Sequence, residues 1–104
     1  MSYYRTHVFF CCNQRPPGAP RGCCNDKGGS RLRDYCKQRV RALGLDGPGK
    51  IRINQSGCLD RCELGPTVVV YPEGVWYRCV DERDVDELIE SHLCRGQIVA
   101  RLLI

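Results

Sequence analysis

The 104-residue chain predicts an α/β sandwich, a small mixed β-sheet flanked by two main helices. Three observations predict it. Short β-branched and aromatic runs have strand length, two longer stretches carry apolar residues at helical spacing, and their order is β-α-β-β-β-α. A helix between the first two strands makes them parallel, and a hairpin after them makes the sheet mixed.

Each element has its own signal. Residues 5–11 (RTHVFFC) read as a strand with a cysteine at its end. Residues 13–29 hold three prolines and four glycines, which read as a long loop; a loop of that length in so small a domain is expected to be functional. Ser30 is the expected N-cap of the first helix, whose apolar stripe is Leu32, Tyr35, Cys36, Val40 and Leu43, with Gly44 at its end. Residues 46–49 make a turn, and residues 50–55 alternate as a half-buried strand with Ile51 and Ile53 inward. Residues 56–66 form a second loop or short helical turn bearing Cys58 and Cys62. Residues 67–71 (TVVVY) suit a central strand, and Pro72-Glu73-Gly74 turns the chain into a hairpin partner over residues 75–80. Asp81 caps a second helix with Val85, Leu88, Ile89 and Leu93 on one face, and Arg95-Gly96 ends it. The largely apolar tail, residues 98–104, must pack on something. This arrangement is of the thioredoxin-like kind.

Size and composition bound the function. The chain suits a single domain spanning residues 1–104; 42% hydrophobic and 27% charged residues suit a folded chain rather than a disordered one. No apolar run approaches the ~20 residues that span a bilayer, and the N-terminus lacks the pattern of a signal peptide, so a soluble, cytoplasmic protein is expected. Charge is uneven. The first 52 residues carry eleven Lys/Arg against three Asp/Glu, and the remaining 52 carry five against nine. Such a dipolar molecule can orient a charged partner. The basic face of the first helix reads as solvated, since no nucleic-acid-binding motif or aromatic platform accompanies it.

Cysteine is the outlier, with 9 in the chain. In a reducing compartment such a density points to a metal or cluster rather than to disulfides. Four cysteines in loops or at a strand end form the most persuasive set: Cys11, Cys24, Cys58 and Cys62. A two-iron cluster needs four thiolates, two per tetrahedral iron. Cys58 and Cys62, four apart, meet on one side of a helical turn. Spacing alone leaves the first pair open, because Cys11-Cys12 and Cys23-Cys24 are both adjacent doublets. Gly22, Gly57 and Gly65 flank the set and are expected to let backbone N–H groups approach the sulfurs.

Residues 7–11 (HVFFC), 15–24 (RPPGAPRGCC), 57–77 (GCLDRCELGPTVVVYPEGVWY) and 85–93 (VDELIESHL) together resemble the thioredoxin-like 2Fe-2S ferredoxins. The resemblance runs from about His7 to Leu93. It implies Cys11, Cys24, Cys58 and Cys62 as ligands of one 2Fe-2S cluster per chain. It also implies a homodimer, a cluster near the surface, and one-electron transfer between redox partner proteins rather than catalysis. With every iron position filled by thiolate or sulfide, no site remains for a substrate, unlike a catalytic metal site.

Alternatives are a 2Fe-2S subunit of a larger NADH- or flavin-linked dehydrogenase and a structural zinc module. Closed zinc sites usually pair their cysteines at short spacing, whereas Cys11 and Cys24 are separated by twelve residues. The remaining cysteines have blander readings: Cys36 as a small core residue, Cys79 and Cys94 as incidental or buried. The absence of C-x-x-C argues against a disulfide oxidoreductase. His7 and His92 read as structural or surface residues, and Trp76 and Tyr77 as sheet core or dimer contact. Asp60, Arg61 and Glu63 are expected on a docking rim, with the hairpin and its preceding loop as candidate dimer surfaces.

Overall fold

A computed structural model describes residues 3–14, 16, 18, 23, 24, 27–61 and 64–104. Its order is β1 (Thr6–Cys11), α1 (Gly29–Ala42), β2 (Ile51–Ser56), β3 (Thr67–Tyr71), β4 (Val75–Arg78) and α2 (Glu82–Glu87). A π-helical segment (Leu88–Leu93) continues α2, and a 3-10 turn (Ala100–Leu102) lies in the tail. The four strands form one mixed sheet in the order β2-β1-β3-β4. β1 pairs with β2 in parallel and with β3 in antiparallel fashion, and β3 with β4 as a hairpin. The expected thioredoxin-like topology is thus present.

Alternation along the strands sorts the sheet into two faces. Val8, Phe10, Ile51, Ile53, Val68 and Val70 point into the main core, where Leu32, Cys36 and Val40 of α1 and Val85 of α2 meet them. The opposite face carries His7, Phe9 and Tyr71, whose rings follow one another: His7 stacks on Phe9 at 5.9 Å, and Phe9 meets Tyr71 edge-on at 6.1 Å.

Several boundaries differ from the sequence reading. α1 starts earlier than expected: its N-cap is Gly28, in the left-handed region at φ 103°, and Ser30 lies inside the helix. Leu43, expected on the apolar stripe, is the C-cap and is 49% exposed, with Gly44 following at φ 70° as the left-handed terminator. Asp81 does cap α2, accepting from the Asp84 N–H at 2.9 Å. The tail packs against the hairpin: Val99 and Leu102 are buried, and Ile104 N–H donates to the Trp76 carbonyl at 3.2 Å.

Among the described residues two peptide bonds are cis, Gly65-Pro66 and Tyr71-Pro72. No helix among the described residues is long and apolar enough to cross a membrane.

Candidate metal centre

Cys11 ends β1, and strand alternation turns it away from the main core. Its neighbour Cys12 faces the other way: it packs against the main core, and its thiol donates to the Phe10 carbonyl at 3.4 Å. Cys11 instead forms a separate small cluster with Cys24, both essentially without solvent exposure. Of the second doublet, Cys23 is also buried, but its sulfur accepts from the Gln14 side-chain amide at 3.4 Å. Of the alternatives left open by spacing, the structure brings together Cys11 and Cys24.

The start of α1 closes this pair from one side. Gly29 N–H donates to the Cys24 carbonyl at 2.7 Å. A Cβ on Gly29 would collide with the Cys11 carbonyl and stand 2.9 Å from that of Cys24, so only glycine fits between the two cysteine-bearing segments. This residue was missed by sequence reasoning. A doubled glycine before a helix reads as a turn signal, and the crowding depends on a loop closure that spacing does not reveal. By contrast, a Cβ on Gly57 would meet open space.

The second loop meets the pair through two contacts. Leu59 packs against Cys11 and Cys24, which brings the Cys58–Leu59 stretch alongside. Thr67, at the start of β3, is buried; its hydroxyl accepts from the Cys24 thiol at 3.8 Å and donates to the Arg61 carbonyl at 3.0 Å. Cys58 is exposed, and its sulfur accepts from the Asp60 N–H at 3.3 Å. That bond is set by Asp60 at φ 63°, a left-handed conformation that aspartate tolerates better than most residues. Cys62 and Glu63, like Gly22, lie outside the described residues. Among the described residues, no group of three or more His, Cys, Asp or Glu side chains is arranged to bind a metal ion.

The chemistry of the Cys11–Cys24 pair is that of a soft-metal half-site. Burial raises the Cys24 thiol above its ordinary range, while the Thr67 N–H and hydroxyl pull it back down. Thr67 therefore favours the thiolate, the form a metal takes. Two adjacent buried thiols, with N–H donors aimed at cysteine sulfurs in both loops, fit one half of an iron–sulfur group. The other cysteines do not share this setting. Cys36 and Cys79 are buried in the main core, and burial pushes the Cys36 thiol up to about 12 and that of Cys79 still higher. Cys94 is exposed after the π-helical segment.

His92 is buried with both ring nitrogens engaged, Nδ1 by the Tyr77 hydroxyl at 2.7 Å and Nε2 by Glu73 at 2.6 Å. Its structural role is as expected, although burial rather than a surface position is the outcome. Tyr77 is core, whereas Trp76 is half-buried on the helix-free face with the Arg61 guanidinium 5.1 Å over its ring.

No family model matches the chain. It is 41% identical over 98 residues to a 2Fe-2S ferredoxin of Aquifex aeolicus (strain VF5), covering 94% of this chain and 87% of that one. It is 38% identical over 98 residues to a 2Fe-2S ferredoxin of Clostridium pasteurianum, covering 94% of both. In three dimensions it is similar to the crystal structure of the thioredoxin-like 2Fe-2S ferredoxin from Aquifex aeolicus, with a TM-score of 0.85, 40% identity and 95% of each chain covered.

Proposed function

Because the chain belongs to the thioredoxin-like 2Fe-2S ferredoxins, we propose that it is a one-electron carrier rather than an enzyme. In this reading one 2Fe-2S cluster per chain is held by Cys11, Cys24, Cys58 and Cys62 and passes electrons between redox partner proteins. The observation that carries the ligand assignment is the buried Cys11–Cys24 pair, closed by Gly29 and touched by the second loop through Leu59 and Thr67. The cluster supplies a site that gains and loses one electron without making or breaking a substrate bond. The protein's own residues hold the thiolates, exclude water from the first pair and leave the second loop at the surface. Exposed Cys58 and Asp60, with half-buried Arg61 beside them, form the rim at which a partner docks.

The ferredoxin relatives, matched over most of their own length, support the carrier over a zinc module or a dehydrogenase subunit. A homodimer is part of this reading, as the family resemblance implies, and is supported by the row of half-exposed aromatics on the helix-free face of the sheet, next to the hairpin. A cytoplasmic location suits a protein whose thiols must stay reduced before the cluster is built.

Electron paramagnetic resonance of the dithionite-reduced protein, with iron and acid-labile sulfide counts, tests the reading. Two irons and two sulfides per chain are expected. Replacing Cys11, Cys24, Cys58 or Cys62 by Ala should each remove or greatly weaken the signal, while Cys23→Ala and Cys36→Ala keep it. A colourless protein with stoichiometric zinc would overturn the carrier, and loss of the signal in Cys23→Ala but not in Cys24→Ala would overturn the ligand assignment.

A further inference from the structure

Thr67 is a polar residue in an otherwise apolar strand, 1% exposed, at the junction of the two cysteine-bearing loops. Its hydroxyl has one proton and two oxygen lone pairs. In the thiol form of Cys24 the sulfur donates to that oxygen, and the hydroxyl proton goes to the Arg61 carbonyl. Arg61 immediately precedes Cys62 in the chain, so one side chain links the sulfur of the first loop to the backbone of the second. A Cys24 thiolate has no proton to give and is a strong acceptor. The hydroxyl then faces two acceptors, and the charged one binds it more strongly.

We propose that Thr67 is a positioning residue for electron transfer, whose hydroxyl joins the two loops while Cys24 is a thiol and turns to donate to the Cys24 thiolate once the cluster is loaded, so that the reduced state is stabilised. This rests on the carrier reading and on Cys24 as a ligand. One electron arriving from a reduced donor protein adds one negative charge to the centre, with no bond made or broken there and no proton required. A hydrogen-bond donor on a ligand sulfur stabilises that added charge and raises the reduction potential. A side-chain change leaves the Thr67 backbone in place, so the comparison isolates the contribution of the hydroxyl.

Thr67→Val keeps the branched shape and removes the hydroxyl; Thr67→Ser keeps the hydroxyl and removes the methyl. Both are made in the full chain and compared with wild type in an EPR-monitored redox titration, after iron and sulfide have been counted. The expected result is a midpoint shifted to more negative potential in Thr67→Val, with Thr67→Ser close to wild type. Loss of the cluster from Thr67→Val with retention in Thr67→Ser also supports the joining of the two loops. An unchanged midpoint in Thr67→Val overturns the proposal, as does an equal shift or equal cluster loss in both variants, which would make shape and not the hydroxyl responsible. Failure of the carrier reading is distinguishable, because wild type itself would then lack iron and sulfide.

Discussion

Gly29 has no space for even a methyl group. Its α-carbon sits between the Cys11 and Cys24 carbonyls, and the backbone atoms it would strike belong to the segments that carry the first thiol pair. Neither neighbour is a flexible side chain that could swing away. Gly29→Ala should therefore cost about 1–3 kcal/mol, the range for overpacking a filled site, and should lower iron and sulfide per chain as the pair is pushed apart. Urea unfolding and metal analysis check the two effects separately; wild-type stability with full cluster content would show that the junction has slack. A second residue-scale effect comes from the core thiols. Folding holds Cys36 protonated until about 12, whereas the ordinary thiol value is 9.0. Above 9.0 the unfolded chain gains by ionising this thiol and the folded chain does not. The stabilisation is thus complete below 9.0 and is lost as pH climbs toward about 12, at up to about 1.4 kcal/mol per pH unit for each such thiol. Cys79 acts in the same direction. Stability measured in urea from pH 8 to 10.5 should fall less steeply in Cys36→Ala than in wild type, whatever the offset from the lost sulfur. Equal slopes would mean that Cys36 is not held protonated.

At the scale of elements, the order of strands and helices was legible because each signal is local. Periodicity, Asp81 as a cap and the turn residues all act within a few positions of one another. Two features were not legible for the same reason. The start of α1 is set by Gly28 in the left-handed region and by contact of Gly29 with two distant carbonyls, so Ser30, the better local cap, is passed over. The π-helical turn Leu88–Leu93 preserves the buried positions that an α-helix would give, so its apolar pattern does not betray it. The metal centre divides similarly. Loop position and family pattern pointed to Cys11 and Cys24, but choosing between adjacent cysteines needs the strand's alternation and the loop's closure, which are tertiary facts. The π-helical turn, the hairpin and the tail are joined at Tyr77. Its hydroxyl bonds His92 Nδ1 at 2.7 Å and receives the Val99 N–H at 3.2 Å. Tyr77→Phe leaves two buried polar groups without this partner, at a cost of about 1–3 kcal/mol per unsatisfied group. It should also loosen the tail, seen as faster amide exchange at Val99. Unchanged exchange and stability would show that the tail is held by apolar burial of Val99 and Leu102 alone.

At the scale of the whole molecule, the helices among the described residues leave one face of the sheet without a helical layer. α1 and α2 pack on the Val8–Phe10 side, and the other side presents Phe9, Tyr71 and Trp76 beside the loop that carries Cys58. Tyr71 stays 43% exposed in the isolated chain although it stands in a central strand. Aromatic rings on a strand face gain most when a second apolar surface removes them from water, and a stable pair of chains needs about 800 Å² from each partner. A second copy of the same face would cover these rings and, because a two-fold interface is self-complementary, would need no other protein. Sedimentation of the cluster-loaded protein should then give twice the 11.8 kDa chain mass. Tyr71→Asp should shift it toward the single-chain mass, since each interface would receive two unpaired carboxylates, one from each copy. The substitution is made at an exposed side chain, so cluster content and the visible spectrum should stay at wild-type values and separate a broken interface from a broken fold. A Tyr71→Asp protein that still sediments as a pair would move the interface off this face, and a wild-type protein that sediments as one chain would leave the aromatic row for a different partner.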